Sequence, residues 1–260
     1  MFGSGGRTIG KAVAERLGIP YYDKELVDAV AKESGFSHEF IEEIGEYAFL
    51  NCNLSELTLP ESVKKLGRGI LAGNDGFKAI TLSGDLSVSD MFSKIENGSI
   101  VRDVPRNFRT ATVLKGEIGE KQFFGVTSLQ TVSVMPGVSA IGASAFEGCT
   151  LLMSAEIPSS VTSVGERAFA GCTSLTSVRF DRENGPLDKM GREVFAGDVS
   201  LSYVSLPQTV VEYDFVGVFD GCKVLTTVNL PETVTEIGDY AYRNCSSLVT
   251  PSVHDGVTAI

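Results

Sequence analysis

The chain has 260 residues, 43% hydrophobic and 21% charged, the balance of one or two folded domains rather than of a disordered chain. Its net charge of −11 and acidic pI near 4.7 exclude a general nucleic-acid binder, whose surface must be basic, and oppose docking on anionic lipid. No apolar run approaches the ~18–20 residues that cross a bilayer. Two His and the absence of any His/Cys spacing motif leave little basis for a zinc site.

Residues 1–43 are dense in charge and read as helical. Met1 and Phe2 lead straight into Gly3-Ser-Gly-Gly, so no secretory signal is expected. A helix is expected over Thr8–Leu17, with Ile9, Val13 and Leu17 on one side and Gly18-Ile-Pro20 as its stop. Tyr21-Tyr22 suits a short strand, Asp23 can cap a helix running to Ser34, and Ser37 can cap one more. A glycine-rich turn that opens a helix offers backbone N–H groups to phosphate, and Gly6-Arg7-Thr8 stands where a P-loop has Gly-Lys-Ser/Thr. The first glycine of that motif would fall at Met1, so the motif is incomplete. The longer string, the Gly-Ser-Gly-Gly-Arg loop followed by Gly18-Ile-Pro-Tyr-Tyr-Asp-Lys-Glu25, resembles the start of the cytidylate-kinase-like family. That resemblance implies ATP with magnesium as cofactor, Gly3, Gly5, Gly6, Arg7 and Thr8 at the phosphates, and Asp23 toward the acceptor nucleotide. Residues 1–43 hold neither the strand before the loop nor the later sheet, acceptor region and lid. Phosphoryl transfer depends on positioning by a whole domain, so no kinase activity is expected.

From residue 44 the texture changes to Gly, Ser, Thr and Val, and the chain repeats itself. Unit starts fall at Ile141, Val164, Met190, Tyr213, Ile237 and Ile260, with spacings of 23, 26, 23, 24 and 23. An aromatic follows at Phe146, Phe169, Phe195, Phe219 and Tyr242, then Cys149, Cys172, Asp198, Cys222 and Cys245, then Leu152, Leu175, Leu201, Leu225 and Leu248. Earlier copies begin at Ile44-Gly45, Leu66-Gly67 and Ile118-Gly119; over about 83–112 the pattern is lost, as in a degenerate copy with an insertion.

Leu-x-x-Val-x-Leu is a short strand with alternate residues inward, ended by Pro, which cannot donate to a ladder. Val-x-x-Ile is a second short extended stretch. Gly then admits a bend into a single helical turn, Glu166-Arg-Ala-Phe169 in one copy, that lays Ala and Phe inward. One unit cannot bury its apolar side alone, but a stack can. About eight units at ~4.8 Å per strand make a face roughly 35–40 Å long.

The recurring Ile-Gly-x-x-Ala-Phe-x-x-Cys-x-x-Leu-x-x-Val-x-Leu-Pro resembles the BspA-type leucine-rich repeats over about 44–260. The resemblance implies a right-handed solenoid of short parallel strands and single turns, used for adhesion and protein recognition at the cell surface or outside the cell, with no catalytic residues and no cofactor. The expected partner is a protein or a glycan, bound on outward strand positions Gln130, Met153, Glu156, Arg179, Tyr203, Ser205 and Asn229, with Arg179 and Tyr203 leading because Arg and Tyr are enriched at hot spots. The five Cys share one repeat position and are expected as a buried apolar column, although Cys149/Cys172 and Cys222/Cys245 lie one turn apart. His38 and His254 are expected to be solvated. Ile44-Gly-Glu-Tyr-Ala-Phe49 suits both parts of the chain, which suggests a join there, and both chain ends read as abrupt.

Overall fold

The structure, a computed structural model, describes residues 42–84, 86, 91–181, 187–208, 210–249 and 253–260. The expected N-terminal helices, the phosphate loop with Gly3, Gly5, Gly6, Arg7 and Thr8, Asp23 and His38 lie outside the described residues. The chain divides into two compact units, residues 1–112 and 113–260.

In the first unit, β1 (Glu43–Ile44) pairs in parallel with β3 (Lys65–Leu66), and β2 (Glu56–Thr58) with β4 (Ala79–Leu82). These are two rows of strands, one turn apart, with Leu57 and Ile80 opposite each other and buried. Where the repeat fades, β5 (Ser93–Glu96) and β6 (Ser99–Arg102) form an antiparallel hairpin. Its turn residues, Asn97 (φ 50°) and Gly98 (φ 79°), are both left-handed, as a type I′ turn requires.

Strand β7 (Thr110–Ile118) leads into the second unit, which continues with β8 (Thr131–Ile141), β9 (Ser154–Ile157), β10 (Ser163–Val164), β11 (Ser177–Phe180), β12 (Leu187–Met190), β13 (Tyr203–Ser205) and β14 (Val210–Tyr213). The strands again form two parallel rows. The order β8-β9-β11-β13 makes one, and β8-β10-β12-β14 the other. Strand β8 serves both because it runs unbroken through Pro136-Gly137. In the following turn Pro158 ends β9, and its carbonyl accepts the Val161 N–H at 3.0 Å to make the corner. Burial alternates as the leucine spacing predicts: Ala155 and Ile157 point in from β9, Val178 and Phe180 from β11.

The segment after each Ile-Gly has the local bonds of a helical turn, such as Ala145 N–H to Gly142 O and Glu147 N–H to Ser144 O. It does not continue as helix, because two residues four apart are left-handed. In successive turns they are Ser144 and Gly148, Arg167 and Gly171, Glu193 and Gly197, Gly217 and Gly221. The reversal turns alternate N–H groups outward to the next repeat: Ser144, Phe146 and Gly148 donate to Glu166, Ala168 and Ala170 at 2.7–2.8 Å. The turns are thus stitched to one another on this side as the strands are on the other, leaving few orphaned backbone groups.

The Gly of Ile-Gly has a different cause. A Cβ on Gly165 would lie 2.5 Å from Ala143 N, and one on Gly142 would lie 2.7 Å from Glu120 N. Only hydrogen fits where successive backbones come this close.

Within the second unit the repeated aromatic forms a column. Phe123, Phe146, Phe169, Phe195, Phe219 and Tyr242 stack with centroids 5.2–5.9 Å apart and planes within 19° of parallel. Each offset pair contributes about 0.5–1.5 kcal/mol beyond its area burial. The Tyr242 hydroxyl is buried with no partner among the described residues.

The Cys position is a hydrogen-bonding slot as well as an apolar one. Cys149, Cys172 and Cys222 donate S–H to the carbonyls of Phe123, Phe146 and Phe195, all at 3.2 Å, and Cys245 to Phe219 at 3.0 Å. Each acceptor is the aromatic residue of the turn before. In the first unit Asn74 fills this slot and does the same with its amide, Nδ2 donating to Phe49 O at 2.8 Å. All five thiols are free. Burial pushes up those of Cys52, Cys172, Cys222 and Cys245.

His254 departs from the solvated expectation. It takes the corner position that Pro holds in other turns, its carbonyl accepting Val257 N–H at 3.1 Å. Its Nδ1 accepts from Gly256 N and its Nε2 lies 3.0 Å from Pro231 O, so both ring nitrogens are engaged.

Candidate functional site

The outward positions of one strand row in the second unit meet at a shallow depression. Register brings them together: Arg179 on β11 stands opposite Glu156 on β9 and opposite Ser205 on β13, while Ser177 stands between Ser154 and Tyr203. Alternation decides what faces out. Val178 must be buried to fill the core, so Ser177 and Arg179 project the other way, and Ala155 does the same for Glu156.

The depression has a volume of about 580 Å³ and is lined by Glu156, Arg179, Tyr203 and Ser205 among others. Pro158, the corner residue of its turn, and Pro136, which lies within β8, also line it, and Asp181 adds a second carboxylate. Asp181 is placed by its own N–H, which donates to Ile157 O at 2.8 Å at the end of β11. Tyr203 keeps 44% of its surface exposed, a large value for a ring that sits on a strand. One guanidinium, two carboxylates, a phenol and proline rims offer charge-assisted bonds of both signs beside a stacking surface.

Four of the seven residues expected from the sequence line this depression: Glu156, Arg179, Tyr203 and Ser205. Ser205 departs from the outward expectation, being only 6% exposed, and it contributes to the floor. Gln130 and Met153 lie just ahead of the strands and outside the depression; Met153 is exposed and its N–H donates to Gln130 O at 3.2 Å. Asn229 is exposed in a later turn and does not reach the depression. The sequence reading missed Asp181 and Pro136. Asp181 could have been found as the residue that follows the strand in register with Pro158; Pro136 holds the repeat position expected to end a strand, but β8 continues through it.

Among the described residues no three His, Cys, Asp or Glu side chains converge on a metal-sized site. No helix among them is long and apolar enough to cross a membrane.

The sequence profile of the BspA type leucine rich repeat region matches residues 107–215 and 189–260, in six copies. The profile of the cytidylate kinase-like family matches residues 1–117. No curated protein matches the chain. Among solved structures the chain is similar to a leucine rich repeat protein of T. pallidum, at 24% identity over 70% of this chain and 71% of that one, with a TM-score of 0.43. It is also similar to a leucine rich cell surface protein from Faecalibacterium prausnitzii (17% identity, 82% and 84% covered, TM-score 0.36) and to a leucine-rich repeat protein from Eubacterium ventriosum (19%, 83% and 82%, TM-score 0.38). With parallel strands stacked at a period of 23–26 residues and its family profile matched over most of its length, the chain belongs to the BspA-type leucine-rich repeat family.

Proposed function

We propose that the second unit is a non-catalytic interaction module that binds a protein partner through its strand face, in a surface or secreted adhesion role. The observation that carries this reading is the depression at Glu156, Arg179 and Tyr203, where two residue types enriched at binding hot spots are adjacent, exposed and held on rigid strands. Rigid strands lower the entropy lost on binding, since the backbone is already ordered. A glycan would use the same phenol and carboxylates, and it is the competing ligand class.

The test presents the full chain to a displayed peptide library and to a glycan array, with Tyr203→Ala, Arg179→Ala and, as a control on the other strand row, Glu212→Ala. A peptide ligand whose affinity falls at least tenfold with Tyr203→Ala and Arg179→Ala but not with Glu212→Ala supports the reading. Ligands drawn only from the glycan array, or peptide binding indifferent to both strand-face variants, overturns it.

A nucleotide-binding role for the N-terminal region rests on the profile match over residues 1–117. Limited proteolysis of the full chain with and without Mg-ATP tests it. Protection of residues 1–43 by Mg-ATP supports that role, and equal cleavage in both conditions removes it.

A further inference from the structure

Asp198 is an anomaly in an otherwise uniform column. It occupies the Cys slot of its turn and has no exposed surface. In five other turns the residue in this slot is a donor. Cys149, Cys172, Cys222 and Cys245 give S–H, and Asn74 gives N–H, to the carbonyl of the aromatic one turn back. The equivalent carbonyl for Asp198 is that of Phe169, which already accepts the Cys172 N–H at 3.2 Å and has a second lone pair to offer. Of the two carboxyl oxygens, Oδ1 is satisfied, accepting the Cys172 N–H at 2.7 Å. Oδ2 is buried and finds no donor. A carboxylate here would leave one oxygen unsatisfied in an apolar column and turned toward a donor's place; a carboxylic acid would complete the pattern.

We propose that Asp198 is held as the neutral acid in the folded chain, its Oδ2 hydroxyl donating to the Phe169 carbonyl, so that this turn is a pH-sensitive element that weakens as pH rises.

The surroundings agree. The titratable groups packed against Asp198 from the adjacent turns are the Cys172 and Cys222 thiols, themselves held neutral by burial. The charged side chains that act on those thiols besides Asp198, Glu147 on Cys172 and Asp220 on Cys222, are anions, and no cation bonds to Asp198 among the described residues. Burial pushes its carboxyl well above the usual range, against the lowering effect of the Cys172 and Gly171 N–H groups. The sign follows. With the folded carboxyl raised and the unfolded one near ~3.9, the unfolded chain releases a proton that the folded chain keeps. The contribution is fully present below about pH 4 and is lost as pH climbs toward the folded value.

The experiment compares urea unfolding of the full chain with that of Asp198→Asn between pH 5 and 8. All other groups titrate alike in both proteins and cancel in the ratio of unfolding constants. The wild-type constant, divided by that of Asp198→Asn, should rise about tenfold per pH unit until the folded carboxyl ionises. Asp198→Cys, which places the commonest residue of the column in this slot, should remove the same slope. A ratio that is flat over this range, or that falls with rising pH, overturns the proposal. Should either variant fail to fold, carbon-13 NMR of aspartate-labelled native protein decides the matter. One carboxyl that stays protonated at pH 6 in the wild type supports the proposal, and a full set of ionised carboxylates refutes it.

Discussion

Two columns of glycine recur in this fold, and they should answer differently to the same substitution. Gly165 follows a strand and packs against the turn before it. Its φ is not left-handed, so the backbone would accept Ala; the space would not. The new Cβ would lie 2.5 Å from Ala143 N, 2.7 Å from Gly142 C and 2.8 Å from Ala143 Cα, all main-chain atoms of a neighbouring turn. That turn is tied to Gly165 by the bond from its N–H to Ile141 O at 2.8 Å, so it cannot simply rotate away. Restoring ordinary contact needs the two turns to part by about 1 Å, and a gap of that size forfeits a quarter to a half of the dispersion energy across it. Overpacking of this kind costs about 1–3 kcal/mol, and here the upper part of the range applies because the obstacle is backbone. The lost flexibility of the unfolded chain returns about 0.4–1 kcal/mol. The expected net cost of Gly165→Ala is therefore about 2 kcal/mol. Gly148 is the contrasting case, with φ +74° and the nearest atom, Gly125 Cα, at 3.7 Å. Ala fits there in space but pays for a left-handed backbone, a net cost of about 1 kcal/mol. Urea unfolding followed by far-ultraviolet circular dichroism measures both. Thermal midpoints should fall by about 4–8 °C for Gly165→Ala and about 2–4 °C for Gly148→Ala. Should Gly165→Ala prove no more costly than Gly148→Ala, the close approach of successive turns is not what selects the Gly of Ile-Gly.

The column of rings predicts that Tyr242→Phe stabilises the chain by about 1 kcal/mol, since the change removes a buried hydroxyl without a partner and keeps the stack on Phe219; a lower melting midpoint in the variant would show that the hydroxyl is in fact bonded. For the thiols, Cys149, Cys172 and Cys222 are fully buried while Cys245 is partly exposed. Native protein treated with a thiol-specific label at pH 8 should therefore react first at Cys245. Cys149, Cys172 and Cys222 should label only after denaturation, and intact mass under non-reducing conditions should show no disulfide. Rapid labelling of Cys172 would contradict its place in the core.

Much of the fold could be read from the residues in order. The spacing of Leu152, Ala155 and Ile157 set both the strand and its inward side, because a pleated strand turns alternate side chains to opposite faces. Proline marked the end of β9, though not of β8, which runs on through Pro136, and the repeat itself announced stacking, because a single turn has no partner for its apolar side. The hairpin at β5–β6 was also legible in principle, since Asn97-Gly98 between extended stretches is a strong turn signal, although the repeat spacing that marks the other turns is lost there. Outward positions followed from the same alternation, which is why Glu156, Arg179 and Tyr203 could be singled out before any coordinates.

What local pattern could not supply was anything that depends on the neighbouring turn. Glu156, Arg179 and Ser205 are 23 and 26 residues apart in the chain, and only the register of three strands makes them adjacent. Asp181 and Pro136 join them for the same reason. The left-handed residue in each turn was hidden because it is not glycine: Ser144, Arg167 and Glu193 accept a strained φ since their N–H groups gain a partner in the next repeat, a bond that no single unit contains. Asp198 likewise reads in sequence as an acidic substitute for Cys; its meaning comes from the Phe169 carbonyl one turn away. The sequence by itself determined the unit, because period and polarity are local properties of the chain. The tertiary structure decided what the stacked units hold in common, because hydrogen bonds and contacts between turns exist only once the turns are in register.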